Sequence, residues 1–319
     1  MRRLATSLPM LGALVVVGCG GASGGSATAP PASSAEFPSL AGKTLQSVMA
    51  TYPKGPIFAA SVSVLRVGEN RLGFALFSVD HKQVSSAQVA LYTSDSHGGA
   101  IAGPYPAHEE SLLVAPRFQS ETVAKDPGAA KSVYVAQVPF SRRGKNEVFA
   151  IARVAGKLQF ASGSDALVGQ PGAPPDVGQA AISVHTPTVA QVGRANVSQI
   201  DTRVPPATDL QQVDFASVLH KRPAVLLFAT PQLCASRVCG PVVDVEDQVK
   251  SQVGSRVAFI HMEIYNGNQI SKGVRPQVSA YRLPSEPWAF VVDSRGRIAQ
   301  RFEGAFSAAE LAAAVKGVT

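Results

Sequence analysis

The chain has 319 residues, of which 45% are hydrophobic and 16% charged, and its formal net charge is +7. This length predicts about two folded domains. The basic residues are spread along the chain without interleaved aromatic residues, which excludes a nucleic-acid-binding patch, so nucleic acid is not an expected partner.

Residues 1–18 have the pattern of a secretory signal peptide. Arg2 and Arg3 precede an apolar run, Leu11 to Val17, which is far shorter than the roughly 20 residues of a permanent membrane-spanning helix. The run ends in Val-Val-Gly-Cys, which resembles the bacterial lipobox. The resemblance implies cleavage before Cys19 and lipidation of that cysteine, whereas an ordinary signal peptide would be cut at a small residue nearby.

Lipidation of Cys19 predicts a protein that is held at the extracytoplasmic face of the cell membrane by its lipid. Residues 19–40 are rich in Gly, Ser, Ala and Pro, so we predict a flexible tether between the lipid and the folded chain. The chain has three cysteines, and lipidation of Cys19 leaves Cys234 and Cys239 as an even pair. In an oxidising compartment such a pair is a candidate disulfide.

Residues 41–170 contain short apolar runs separated by turn residues: FAASVSVLRV, RLGFALFSV, SAQVALYT, SVYVAQVPF, NEVFAIARV and KLQFAS. Apolar and small residues alternate within the runs, as strands require, and no helical stretch is of comparable strength. This pattern predicts an all-β, immunoglobulin-like sandwich with a binding or docking role. His81, His97 and His108 lie between the runs without the spacing of a metal-ligand set, so neither a metal nor a cofactor is predicted there.

Residues 171–206 are rich in Pro, Gly, Val and Thr and have no sustained period, so they are predicted to be an inter-domain linker, partly laid down on the second domain. Residues 207–319 then alternate between helices and strands. Helices are predicted for 209–222, 241–254 and the Ala-rich end, and strands for PAVLLFAT, VAFIHMEIY, PWAFVVDS and RIAQRFEG, the last two joined in a hairpin.

This order of elements resembles the thioredoxin fold over about residues 201–319. The resemblance rests on the strand that ends in LFAT, the cysteine pair at a strand-to-helix turn, and Pro287 at the start of a later strand. It is nearest to the TlpA-type and peroxiredoxin-type branches and implies a C-terminal α/β thioredoxin-like domain. It further implies a cis bond between Glu286 and Pro287, with the proline against the sulfurs of the pair.

The four-residue gap between the cysteines departs from the Cys-x-x-Cys spacing of that fold family. In one regular helix the Cα atoms of Cys234 and Cys239 would lie about 8 to 9 Å apart, beyond the limit of about 7 Å for a disulfide. Pro241 lacks the N–H that would bond to Arg237 in a continuous helix. We therefore expect a break in the helix near Cys239 and a looped segment between the two cysteines.

The main interpretation of the pair is a thiol–disulfide oxidoreductase without a cofactor, acting on protein thiols or disulfides. Cys234 would be the attacking sulfur, because a helix N-terminus favours the reactive thiolate. Cys239 would be the resolving sulfur, and Pro287 would shape the docking surface. The alternatives are a non-catalytic binding module with a structural disulfide, and a thiol peroxidase, since Q-type peroxiredoxins share the four-residue gap. A further alternative is copper handling as in Sco-type proteins, with His261 as the later ligand.

Overall fold

The computed structural model describes residues 31–95 and 99–319. The predicted signal peptide, Cys19, the first part of the predicted tether and His97 therefore lie outside the described residues. Within the described ranges, no helix has the length and apolarity that crossing a membrane requires. Helix α1 (Leu45–Thr51) begins at Thr44, whose side chain accepts a hydrogen bond from the Ser47 amide.

One antiparallel sheet of seven strands follows α1. Its strands are β1 (Ile57–Ala60), β2 (Gly68–Phe77), β3 (Gln88–Asp95), β4 (Ala102–Ser111), β5 (Ser132–Phe140), β6 (Gly144–Val154) and β7 (Lys157–Val168). Their order in the sheet is β1-β2-β5-β4-β3-β6-β7. The short helix α2 (Glu121–Ala124) lies in the connection between β4 and β5.

The two ends of this sheet meet. The Gly55 amide, just before β1, donates to the carbonyl oxygen of Phe160 in β7 at 2.8 Å, and the Gly169 amide donates to that of Leu65 at 2.8 Å. The predicted all-β character is confirmed. The immunoglobulin-like sandwich is not, because the described strands form one sheet that nearly closes into a barrel instead of two stacked sheets.

The difference has a physical cause in the longest strands. β6 and β7 have 11 and 12 residues, and their pairing shifts register between Val148 and Ala150. Register shifts of this kind bend strands and let a sheet curve toward closure. Alternating apolar residues fill a barrel as readily as a sandwich, so the sequence pattern does not distinguish the two.

Strand β5 shows that both faces of the curved sheet are used. Tyr134 and Ala136 belong to the cluster inside the sheet, whereas Val133 and Val135 belong to a cluster on the opposite face. That second cluster continues through residues of the C-terminal domain, including Leu227. The two domains therefore share a continuous hydrophobic core.

The C-terminal domain is built on a second sheet. Its strands are β8 (Ala224–Phe228), β9 (Ala258–Met262), β10 (Trp288–Val292) and β11 (Ile298–Glu303), in the order β11-β10-β8-β9. Strands β8 and β9 are parallel, and β10 is antiparallel to both β8 and β11. With a helix between β8 and β9, another between β9 and β10 and a third after β11, this is a thioredoxin-like arrangement.

The helices from the linker onward are α3 (Val189–Val192), α4 (Phe215–Val218), α5 (Cys239–Val253), α6 (Pro276–Tyr281) and α7 (Ala308–Lys316). The helix predicted over 209–222 is wrong in extent. A 3-10 turn at Thr208–Gln211 is separated from α4 because the Asp214 carboxylate caps α4 and accepts the Ala216 amide. The predicted end of α5 is confirmed, since Gly254 stops it with a φ of 72°.

The segment 171–206 crosses the surface of the C-terminal domain and pairs with the edge strand β11. The Gly178 amide donates to the Ile298 carbonyl at 2.8 Å, and the Ala181 amide donates to the Gly296 carbonyl at 2.9 Å. These bonds occupy backbone groups that an edge strand otherwise leaves open.

A glycine directly after β11 packs against the β domain. Gly304 has a φ of +74°, and a Cβ on it would lie 2.4 Å from the Ser61 carbonyl oxygen. Only glycine fits this conformation and this approach. Beside it, the Glu303 carboxylate accepts the amides of Ser63 at 2.7 Å and Val64 at 3.0 Å.

Candidate active site

The cysteine pair lies where β8 meets α5. Cys239 is the first residue of α5, and Cys234 lies in the loop before it. The two sulfurs form a disulfide with the Cα atoms 6.0 Å apart, inside the range that such a bond tolerates. The expected break near Cys239 is confirmed, and the segment between the cysteines is looped.

The two sulfurs differ in access. Cys239 is fully buried, whereas Cys234 is partly exposed, with its Sγ 3.2 Å from the Ser236 hydroxyl. Cys234 lines a cleft of about 730 Å³. One wall of the cleft is the loop 231–237, and the other is the segment 122–129 of the β domain. An attacking group from solvent therefore reaches the disulfide from the Cys234 side.

The segment of the β domain that forms this wall contacts the cysteine loop directly. Arg237 donates to the Asp126 carboxylate at 2.8 Å, and the Ala130 amide donates to the Arg237 carbonyl at 3.2 Å. Gly240, in the first turn of α5, packs against Val123. Sequence reasoning missed Asp126, because no local pattern connects it with a residue 111 positions later.

Among the described residues, the carboxyl group of Glu286 lies beside the pair. Its Oε2 lies 3.5 Å from the Cys239 Sγ and accepts the Thr230 amide at 3.0 Å. Its Oε1 accepts the Tyr265 hydroxyl at 3.4 Å. Burial raises the pKa of Glu286 to about 7, with a further contribution from the negative charge of Glu263. The site therefore holds a carboxyl group that titrates near neutral pH, next to the buried sulfur.

Pro287 follows Glu286 at the start of β10, and the bond between them is cis, as the resemblance implied. Trp288 comes next and is fully buried; its ring stacks on Phe290, and its indole N–H donates to the Ser285 hydroxyl at 3.0 Å. The tryptophan is therefore a core residue.

His261 belongs to a separate buried cluster with Asp201 and Glu263, whose polar atoms lie within 4.8 Å of one another. Its Nε2 lies 2.9 Å from the Ala229 carbonyl oxygen, and its Nδ1 lies 3.2 Å from the Gln211 side-chain nitrogen. Both ring nitrogens thus have protein partners. The structure does not place His261 in one ligand set with the cysteines, whose sulfurs are joined in a disulfide and offer no thiolate.

In the β domain, His108 pairs with the Glu110 carboxylate at 3.1 Å, and this contact raises the pKa of the histidine. His81 lies in an exposed turn with a φ of 60°. Among the described residues, neither histidine belongs to a group of three metal-ligating side chains.

The chain matches no family model, and no curated protein sequence matches it. Among solved structures it is similar to a thiol:disulfide interchange protein, a thioredoxin family protein from Chlorobium tepidum TLS, at 15% sequence identity and a TM-score of 0.31. The similarity covers 45% of this chain and 98% of the other. Independently of that similarity, strand order and direction give the C-terminal domain a thioredoxin-like fold, with a disulfide where β8 leads into its helix.

Proposed function

We propose that the protein is a membrane-anchored, extracytoplasmic thiol–disulfide oxidoreductase that uses the Cys234–Cys239 pair. The observation that carries the proposal is the asymmetry of the disulfide: one sulfur is reachable from a cleft, and the other is buried beside a carboxyl group. Exchange proceeds by attack of a thiolate on one sulfur while the other leaves. Cys234 is the sulfur that exchanges with partners, and Cys239 is the resolving sulfur.

The partners in this proposal are protein thiols or disulfides. They dock at the cleft, where the 122–129 segment of the β domain supplies a wall. The β domain therefore restricts which chains approach Cys234. Pro287 is buried next to Glu286 and does not line this cleft.

The structural-disulfide alternative has its own support, because Arg237 in the cysteine loop is held by Asp126 and Ala130. A disulfide that only staples this loop would have a low reduction potential and no exchange partner. The two functions therefore differ in a measurable quantity.

The deciding experiment is the reduction potential of the pair against glutathione, together with trapping of mixed disulfides by the Cys239→Ala variant. We expect a potential above roughly −300 mV and trapped protein partners. Cys234→Ala is the matched control, because it leaves only the buried sulfur and is expected to trap none. A potential below roughly −300 mV with no trapped partner would establish the staple.

The peroxidase alternative is less well supported by the surroundings of the pair. Peroxide activation needs a cationic donor near the attacking sulfur, but Arg237 donates to Asp126, and the group 3.5 Å from the Cys239 sulfur is the carboxyl of Glu286. A carboxylate disfavours a neighbouring thiolate. Under the proposed function, hydrogen peroxide is not consumed above the rate of the Cys234→Ala variant.

The copper alternative requires His261 beside the thiolates, and its ring nitrogens are instead bonded to Gln211 and Ala229. Absorbance from copper added to the reduced protein should be the same in the wild type and in His261→Ala.

The proposed membrane anchor is tested separately, since Cys19 lies outside the described residues. We expect the wild type to incorporate radiolabelled palmitate and to sediment with membranes, and Cys19→Ala to do neither. Cys234→Ala is the control for a cysteine substitution that leaves the anchor intact. An unlabelled wild type would indicate an ordinary cleaved signal peptide.

A further inference from the structure

We propose that Glu286 is a catalytic residue, whose carboxyl group gives a proton to the Cys239 sulfur when the disulfide opens and takes it back when the disulfide closes. This inference rests on the proposed function, because it assigns a role within the same exchange reaction. It concerns the buried sulfur of the pair. Cys239 is 0% exposed, so solvent cannot exchange a proton with it directly.

The geometry places one carboxyl oxygen against the leaving sulfur. Oε2 of Glu286 lies 3.5 Å from the Cys239 Sγ, within reach of an S–H donor. The same oxygen accepts the Thr230 amide, and the other accepts the Tyr265 hydroxyl. These two donors come from the end of β8 and from the chain after β9, so the carboxyl group is fixed from two sides.

The electrostatic surroundings make both protonation states of this carboxyl accessible. Burial and the charge of Glu263 raise its pKa, whereas the Thr230 and Tyr265 donors oppose the rise, and the result is a pKa of about 7. Among the described residues, no cationic side chain hydrogen-bonds to the group. An acid with a pKa near the working pH is best suited to both give and receive a proton.

The disulfide opens by exchange with a partner thiolate. The thiolate of a partner attacks the Cys234 Sγ, a bond forms between these two sulfurs, and the Cys234–Cys239 bond breaks. The electron pair of the broken bond stays on Cys239, which takes the proton of the Glu286 carboxylic acid and becomes a neutral thiol. In the reverse direction, the Glu286 carboxylate accepts the Cys239 proton as that sulfur attacks the mixed disulfide and the partner leaves as its thiolate.

A purely structural role for Glu286 predicts a different outcome. If the side chain only accepted the Thr230 amide, a glutamine would serve equally well, because its amide oxygen is also an acceptor. Glutamine cannot supply the proton. Glu286→Gln therefore separates the two roles with little change in shape.

The experiment measures the rate at which dithiothreitol reduces the disulfide in the full chain between pH 5.5 and 8.5, followed by alkylation of the released thiols. Each rate is divided by the fraction of dithiothreitol present as thiolate. For the wild type we expect this normalised rate to fall above pH 7, as the carboxylic acid is lost. For Glu286→Gln we expect no inflection and a rate at pH 6 that is lower by about a hundredfold or more.

Tyr265→Phe gives a second readout that keeps the carboxyl group in place. The tyrosine hydroxyl stabilises the carboxylate, so its removal raises the pKa of Glu286 further, and the inflection should move to higher pH. A profile without an inflection in the wild type, or one unchanged by both substitutions, would overturn the role of Glu286.

Failure of this inference and failure of the proposed function give different results. If dithiothreitol opens the disulfide of the folded protein but the pH profile does not depend on Glu286, the oxidoreductase stands and the proton transfer does not. If the disulfide resists reduction at every pH until urea unfolds the chain, the oxidoreductase itself is overturned and the pair is a staple.

Discussion

Gly240 of helix α5 faces Val123 of the β domain so closely that a Cβ on the glycine would lie 2.9 Å from Val123 Cγ2. The contact brings the β domain against the helix turn that carries Cys239. Because valine is stiff at χ1, it cannot turn away without cost.

Gly240→Ala should therefore lower the free energy of unfolding by about 1 to 2 kcal/mol, although alanine is the better helix former. In a Val123→Ala background the same substitution should be neutral or stabilising, because the methyl group then has room. Urea denaturation of the four proteins of this cycle measures the coupling. Equal effects of Gly240→Ala in both backgrounds would mean that the two residues do not contact in solution.

A buried ion pair joins three parts of the chain. The Arg203 Nε donates to Asp244 of α5 at 2.8 Å, and both side chains are nearly inaccessible, at 6% and 1% exposure. Arg203 also donates to the Phe118 carbonyl of the β domain at 2.7 Å. Asp244→Ala should cost about 3 to 5 kcal/mol of stability, because it removes the carboxylate that hydrogen-bonds to the buried guanidinium and leaves only that of Asp247, at 3.9 Å.

The matched control for Asp244→Ala is the exposed pair between Glu121 and Lys125 in the same region. Glu121→Ala should produce no measurable loss, since water screens that pair. The stability of each variant is read from its urea midpoint at pH 7. Similar losses in the two variants would show that burial does not determine how much the Arg203 ion pair contributes to the free energy of unfolding.

Glu286 should also make stability depend on pH. Its pKa is raised from 4.5 to about 7 in the folded protein, so the folded state binds more protons than the unfolded state between these values. Stability from this group is therefore present below pH 4.5 and is lost as the pH rises to 7. The wild type should lose up to about 3 kcal/mol more than Glu286→Gln between pH 4.5 and 8.

Urea denaturation of both proteins at several pH values checks this difference. The comparison with Glu286→Gln is required because burial raises the pKa of Glu246 and Glu263 as well, and these groups titrate in both proteins. Parallel stability curves for the two proteins would mean that the pKa of Glu286 is not raised.

Reduction of the disulfide should have only a modest effect on stability. The cysteines are five positions apart, and closing so short a loop removes little freedom from the unfolded chain. The double variant Cys234→Ala and Cys239→Ala should lose about 2 kcal/mol relative to the oxidised protein. A loss far larger than this would indicate that the disulfide is needed for the fold itself, as a staple is.

Much of the C-terminal domain could be predicted from the sequence because its signals are local. The apolar run before Thr230, the start of α5 near Pro241 and its stop at Gly254 depend on residues within a few positions of one another. The looped geometry of the cysteine pair was predicted from the limit on the Cα separation in a disulfide and from the missing N–H of Pro241. The single α-helix expected over 209–222 failed where Asp214 competes for backbone amides, an effect that hydrophobic periodicity does not register.

The parts that could not be predicted depend on distant contacts. The curvature that closes the first sheet arises from pairing between strands, and alternation within each strand is the same for a barrel and a sandwich. The hydrogen bonds between Arg237 and Asp126 and between Tyr265 and Glu286 join residues that come together only in the folded chain. Glu286 itself was visible beside Pro287, but the burial that changes its acidity is a property of the assembled site.

The shared cluster around Val133, Val135 and Leu227 has a practical consequence for anyone dissecting the protein. A fragment that starts at residue 207 would keep every strand of the thioredoxin-like sheet and would still be incomplete. It would present to water the apolar surface that β5 now covers, and it would lack the wall that faces Cys234. Such a fragment should aggregate and should discriminate poorly between partner thiols. The two domains should therefore be expressed together in any study of exchange at Cys234.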